Sequence, residues 1–395
     1  MEPSSTSRDS NQSIGQDHLV KEKKFEGFDI LRAIFSIAIV AYKTNFFYVP
    51  EILVSNDLTY ALSAYVFSGM VGALAVPVFL QISLFLFYYK SEKTGFSYFI
   101  RKRLPRLILL YLFWVGLITI FDIFFVGGLE AVKGAASSLK AFLEFIVSGN
   151  STPYFFFFSL IFVTIIAEGL ILLFNKLEKA STKITINYCL LIASSLLIFV
   201  FFTIELIIDR AVIQSSFLNY LNNIARWDYT PLNFLPYVFT TAITVQEYNE
   251  GRLEEVTKSL KRKLYSLLIL TLGFFTLEWT LTSNGLLIQV DQAPLDHYLR
   301  LSLVFGSWLL LYLALLAKRK ASTIVKFLSG CSLGIYGFHV FLIKKPLPFR
   351  NIPFLDNLFQ TAPVLEVFTA FFVTLVGSIA LTLLLKRIRI LRRFA

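Results

Sequence analysis

The sequence is poor in the residues from which most soluble enzyme sites are built. Its 395 residues include two cysteines, three histidines and two methionines. Cys189 and Cys331 both lie in apolar runs, which excludes a disulfide framework and a cysteine-based zinc cluster. With His18, His297 and His339 as the whole histidine complement, no multi-histidine metal site is expected. Charge is scarce as well. Asp, Glu, Lys and Arg make up 16% of the chain, against roughly 25% in soluble domains. Apolar residues fill the gap: 56% of the chain is hydrophobic and 42 residues are Phe, with a mean hydropathy of +0.67. A water-soluble fold of this length could not hide so much apolar surface. A soluble globular enzyme, a disordered chain and collagen are all excluded.

The charge that is present is unbalanced, at a net +11. The basic residues cluster between apolar runs, which is the pattern of membrane topology, so no nucleic-acid partner is expected. Residues 1–27 are polar and lack an apolar core followed by a small-residue cleavage site. They read as a disordered cytoplasmic tail rather than a signal peptide.

A bilayer-spanning helix needs about 20 mostly apolar residues. Ten stretches qualify: Phe28–Val49, Tyr60–Tyr89, Leu104–Val126, Tyr154–Phe174, Ile184–Ile208, Pro231–Val245, Leu264–Ser283, Tyr298–Ala317, Ile324–Ile343 and Val364–Leu385. The second is long and contains Pro77, so a tilt or kink is expected there. The sixth is short and carries Pro231 and Pro236. Ten spans with both termini cytoplasmic place 27 Lys and Arg on inner segments and seven on outer ones, as the positive-inside rule requires. The expectation is an all-α, multi-pass protein of the plasma membrane. Its membrane domain covers 28–385, and a basic cytoplasmic C-terminus follows over 386–395. In the outer segment, LEAVKGAASSLKAFLEFI has the spacing of a helix lying along the interface, and Asn150-Ser151-Thr152 forms a glycosylation sequon.

Charges inside spans are costly and are candidates for function. Arg32 and Lys43 share the first span, 11 residues apart. That is close to three whole turns, so both lie on one face, about 16 Å apart along the axis. The alternative is that each snorkels to its nearest interface. Arg101, Lys102, Arg103 and Arg106 form a basic cluster before the third span. Arginine forks suit phosphate, although ordinary positive-inside anchoring would use the same residues. Ser332, Tyr336 and His339, spaced by four and three, line one face of the ninth span, where His339 also fits a structural role. Asp122, Glu168, Glu205 and Glu278 are acids within spans. Asp122, Glu205 and Glu278, with Trp279, could face a sugar acceptor or pair with Lys43, and Glu168 could partner a buried cation.

FDILRAIFSIAIVAYKT resembles the first-helix signature of the acyltransferase 3 family of membrane acyltransferases. Asp29, Arg32 and the ten-residue gap match, with Lys43 where the family has His. FIRKRLPRLILLY is similar to the family's basic segment leading into the third helix, its RxxR pair falling on Arg103 and Arg106 and its aromatic on Tyr111. The usual Pro before that aromatic is missing. LSGCSLGIYGFHVFLI resembles the late-helix signature and places Ser332, Tyr336 and His339. STPYFFFFSLIFV resembles the aromatic start of the fourth helix, with Phe for the common Trp. The resemblance covers nearly the whole membrane domain, including its ten helices.

The resemblance implies transfer of an acyl group, often acetyl, from cytoplasmic acyl-CoA to a hydroxyl of an extracellular or lipid-linked carbohydrate, with no permanently bound cofactor and no metal. Arg32, Lys43 and His339 would be catalytic, Arg103, Arg106 and Tyr111 would bind the donor, and Asp29, Ser332 and Tyr336 would support them. Lys43 complicates this picture. A neutral imidazole can take the acceptor proton, whereas a lysine can do so only if burial strips its charge. A non-catalytic scaffold that exports a polysaccharide is the alternative, and a purely structural membrane protein is a third reading.

Overall fold

The computed structural model describes residues 25–49, 66–209, 230–282, 298–344 and 353–395. Residues 1–24 of the tail expected over 1–27, and with them His18, lie outside the described residues, as do His297, Arg210, Arg226, Lys345, Arg350 and the side chain of Glu205. Residues 25–27 are ordered instead, with Phe25 stacked on Phe28 and Glu26 opening the first helix. The described residues form helices and turns, without strands. The principal helices are α1 (Glu26–Lys43), α2 (Ala75–Thr94), α3 (Leu104–Phe121), α4 (Leu129–Ala135), α5 (Leu139–Ser148), α6 (Phe155–Phe174), α7 (Ala180–Asp209), α8 (Leu235–Asn249), α9 (Lys258–Thr282), α10 (Leu301–Leu316), α11 (Thr323–Lys344), α12 (Pro353–Thr361) and α13 (Pro363–Arg387).

Among the described residues, seven helical stretches are long and apolar enough to cross a membrane: Phe67–Thr94, Phe96–Phe125, Phe155–Phe174, Ala180–Ile204, Lys258–Leu281, Thr323–Lys344 and Pro363–Arg387. The other three expected spans fall on helices that are shorter or more charged. α1 has 18 residues and carries Glu26, Asp29, Arg32 and Lys43. α8 has 15 residues and α10 has 16.

One proline expectation shifts. The irregularity in the second span lies before Pro77, in a π-helical turn over Phe67–Gly72. Pro77 itself sits in the first turn of α2, where its missing N–H would have no intrahelical partner in any case. Likewise Pro231 opens a 3₁₀ turn and Pro236 is the second residue of α8, so both prolines start helices and neither breaks one. The expected single interfacial helix is two, α4 and α5. The break comes at Ser138, whose side chain caps α5 by accepting a hydrogen bond from the Ala141 N–H at 3.1 Å, a conformation that an interior helical serine cannot adopt.

α1 lies at the centre. It packs most extensively along α11 and also touches α2, α10 and α13. α1 and α11 run parallel: the Glu26 carboxylate accepts from the Ala321 N–H at 2.9 Å and pairs with Lys326 at 3.0 Å, and one turn further on Asp29 accepts from the Ser329 hydroxyl at 2.7 Å. Small residues allow close approach, the usual route to tight helix packing in lipid. A Cβ on Gly27 would overlap the Ala314 carbonyl of α10, and Cβ atoms on Gly334 and Gly337 would overlap Thr382 of α13 and Trp114 of α3. At the far end of α11, the Tyr336 hydroxyl donates to the Pro153 carbonyl, and the Tyr154 hydroxyl donates to the Gly337 carbonyl at 2.6 Å. The basic C-terminus turns back onto the bundle, where Phe394 is buried and stacks on Phe113 at 4.2 Å.

Candidate functional site

A cavity of about 340 Å³ lies between α1, α2, α3, α6 and α11. It reaches from Ser329 to Tyr336 along α11, a rise of about 10 Å at 1.5 Å per residue. Arg32, Arg103 and Arg106 all face it, with Ser83, Ser329 and Ser332 as the polar remainder, and no carboxylate lines it. The other end is apolar and aromatic, with Phe79, Phe156, Phe157 and Tyr336. Tyr336 packs against Phe156 and Phe157 at ring separations of 5.2 and 5.8 Å.

The arginines are held differently. Arg32 is half-buried and makes no hydrogen bond or ion pair with a described residue; Asp29, one turn away, exerts its charge on it at longer range. Arg103 donates to the Ser83 hydroxyl at 2.7 Å and to the Ser83 carbonyl at 3.2 Å, while its Nε is buried without a partner among the described residues. Arg106 is exposed and within electrostatic reach of Arg103. Three guanidinium groups on one small cavity repel one another unless an anion is bound. An unsatisfied buried donor such as Arg103 Nε costs about 1–3 kcal/mol. The arrangement is therefore suited to an anion with an apolar extension, the anion at the arginine end and the apolar part among the aromatic rings.

Five expected site residues meet here: Arg32, Arg103, Arg106, Ser332 and Tyr336. Asp29 lies behind the cavity and joins α1 to α11 through Ser329. Tyr111 does not line it; its hydroxyl donates to the Ile146 carbonyl and so fastens α3 to α5. Lys43 and His339 lie beyond the Tyr336 end. Lys43 is exposed, its ammonium 4.8 Å from the centre of its neighbour Tyr42's ring, so the burial that would make it a base is not present. His339 is buried within electrostatic reach of Lys43. Ser83 and Phe79 are site residues that the sequence reading does not single out. The available signal is a serine in the strongly apolar run LQISLFLF, which implies a polar partner inside the bundle.

Three of the intramembrane acids, Glu278, Asp122 and Glu168, bond elsewhere. Glu278 pairs with the fully buried Arg300 at 3.2 Å and accepts from the Ser302 backbone N–H and hydroxyl. Asp122 pairs with Lys344 at 2.6 Å and accepts from the Asn150 amide at 3.0 Å. Asn150 of the sequon therefore serves as a tie between helices. Glu168 accepts from the Ser91 hydroxyl at 3.1 Å and pairs with no described cation. None of these acids forms an ion pair with Lys43. Among the described residues, no group of three or more His, Cys, Asp or Glu could hold a metal ion.

Helices of this length and apolarity, wrapped around a basic cavity without carboxylates, define a multi-pass membrane protein with an arginine-lined cavity inside the bundle. The profile of the acyltransferase 3 family, described as an acyltransferase domain, matches residues 25–383, and the chain belongs to that family. Searches of curated proteins and of solved structures gave no match.

Proposed function

We propose that the protein transfers an acyl group, acetyl in the first instance, from cytoplasmic acyl-CoA to a hydroxyl of an extracellular or lipid-linked carbohydrate. It would do so from the plasma membrane, with ten spans and both termini cytoplasmic. The observation that carries this reading is the cavity shared by Arg32, Arg103 and Arg106. Coenzyme A brings phosphates, which guanidinium forks bind bidentately, and an uncharged arm ending in the thioester, which suits an apolar continuation. Arg32 and the RxxR pair hold the phosphates, Ser332 and Tyr336 border the path of the arm, and the acceptor approaches from the Lys43 side. The charge distribution supports the topology, because the arginine end of the cavity lies toward the segments that carry most of the Lys and Arg.

The test uses purified protein in lipid nanodiscs and isothermal titration with coenzyme A, followed by assay of acyl transfer to surface polysaccharide from a strain lacking the gene. Binding that weakens about 10- to 100-fold on Arg103→Gln, with acylation falling in parallel, is the expected result. Protein that binds or moves glycan but neither binds coenzyme A nor consumes acyl-CoA would instead identify an export scaffold.

A further inference from the structure

The arginine cavity accounts for the donor but not for the proton that leaves the acceptor hydroxyl. We infer that His339 is the general base of the transfer, acting through Nε2; this rests on the donor-site reading above. His339 is 1% exposed. Its Nδ1 lies 3.2 Å from the Ile335 carbonyl. A carbonyl can only accept, so Nδ1 carries the proton and the neutral ring presents its lone pair at Nε2. That Nε2 is buried and has no partner among the described residues. It is an acceptor in want of a donor, and an acceptor hydroxyl supplies one.

Its position agrees with the role. Ser332 and Tyr336 line the donor cavity, and His339 follows on the same face of α11, its ring 5.7 Å from that of Tyr336. The imidazole is thus one turn beyond the apolar end of the cavity, where the thioester of a donor anchored at the arginines would lie. Two other groups could be considered for the proton. Lys43 is exposed, and an ammonium has three donors and no acceptor. Glu168 has a buried free oxygen, but it accepts from Ser91 and lies about three turns along α6 from Phe156 and Phe157, away from the Tyr336 end where the thioester would lie.

The step balances with no further reagent. The acceptor O–H gives its proton to Nε2 as its oxygen attacks the thioester carbon. The C–O bond forms, the C–S bond breaks, and the departing thiolate takes the proton back from the imidazolium. The products are the carbohydrate ester and coenzyme A thiol, with His339 neutral again.

The experiment compares wild type with His339→Gln in nanodiscs, using acetyl-CoA and surface polysaccharide from the gene-deletion strain, and records kcat, the KM for acetyl-CoA and the Kd for coenzyme A. General bases contribute about 10²–10⁴-fold. His339→Gln should therefore lower kcat by at least about 100-fold, with KM and Kd within about threefold of wild type. A packing defect at this depth would not spare donor binding in that way. His339→Asn, which keeps a donor for the Ile335 carbonyl, serves where His339→Gln does not fold. A folded variant that keeps kcat within about tenfold overturns the assignment while leaving the donor site standing. Wild-type protein that binds no coenzyme A overturns the donor-site reading, and this assignment with it.

Discussion

Arg32, Arg103 and Arg106 come from two helices and a preceding turn, and only the fold places them on one wall. Their effect on donor affinity can be bracketed. A hydrogen bond to a charged group contributes about 1.5–3 kcal/mol, so Arg103→Gln should weaken coenzyme A binding about 10- to 100-fold. Arg103→Lys should recover only part of this, because an ammonium cannot donate to Ser83 and to a phosphate with the same fork. Titration calorimetry of the variants checks both. At the same scale, Arg300 is fully buried and its carboxylate is Glu278. Glu278→Ala should cost about 3–5 kcal/mol, since it leaves a buried charge uncompensated. The double variant Glu278→Ala with Arg300→Met should be less damaging than Glu278→Ala alone, as measured by thermal unfolding in detergent. The importance of the arginines is visible in the sequence through their positions at and within spans. The pairings of the acids are not. Asp122 finds Lys344 across 222 residues and Glu278 finds Arg300 across 22, and neither choice follows from local pattern.

Among the elements, α11 is closely fitted against two neighbours. Its Gly334 and Gly337 let it lie against α13 and α3 at separations that no larger residue permits. The Trp114 indole, which fills the space over Gly337, is fully buried, so it has nowhere to move. Gly337→Ala should lower stability by about 1–3 kcal/mol through overpacking and lower the yield of folded protein in size-exclusion chromatography. Gly116, where an added Cβ would meet nothing within 4 Å, should tolerate the same change and is the matched control. Helix existence is legible wherever apolar residues run on for 15 or more positions. The two features that the sequence pattern misplaces, the position of the break before α2 and the division into α4 and α5, depend on hydrogen bonds at the Met70 carbonyl, which accepts from the Leu74 N–H, and at the Ser138 hydroxyl, which accepts from the Ala141 N–H. Those bonds are settled by local competition within a single turn, and periodicity over a whole stretch does not register them.

For the whole molecule the deciding property is the distribution of positive charge. With α1 and α11 parallel and both starting at the end where Glu26 meets Lys326, the bundle has a distinct polarity. The segments at that end include Lys90–Arg106, Arg252–Lys263 and Lys318–Lys326, which together carry 15 Lys and Arg. The opposite end holds Lys344 against Asp122, and the Asn150 turn beside them. Cytoplasmic loops retain Lys and Arg because these are hard to translocate, so the first end should face the cytoplasm and the Asn150 turn should face outward. Fusions test this directly. Alkaline phosphatase joined after Gly149 should be active, the same enzyme joined after Lys320 should be inactive, and green fluorescent protein on the C-terminus should fluoresce. The reverse pattern would put the arginine cavity on the wrong side of the membrane for a cytoplasmic donor, and a phosphatase active at both internal junctions would mean that fewer than ten of the helices cross.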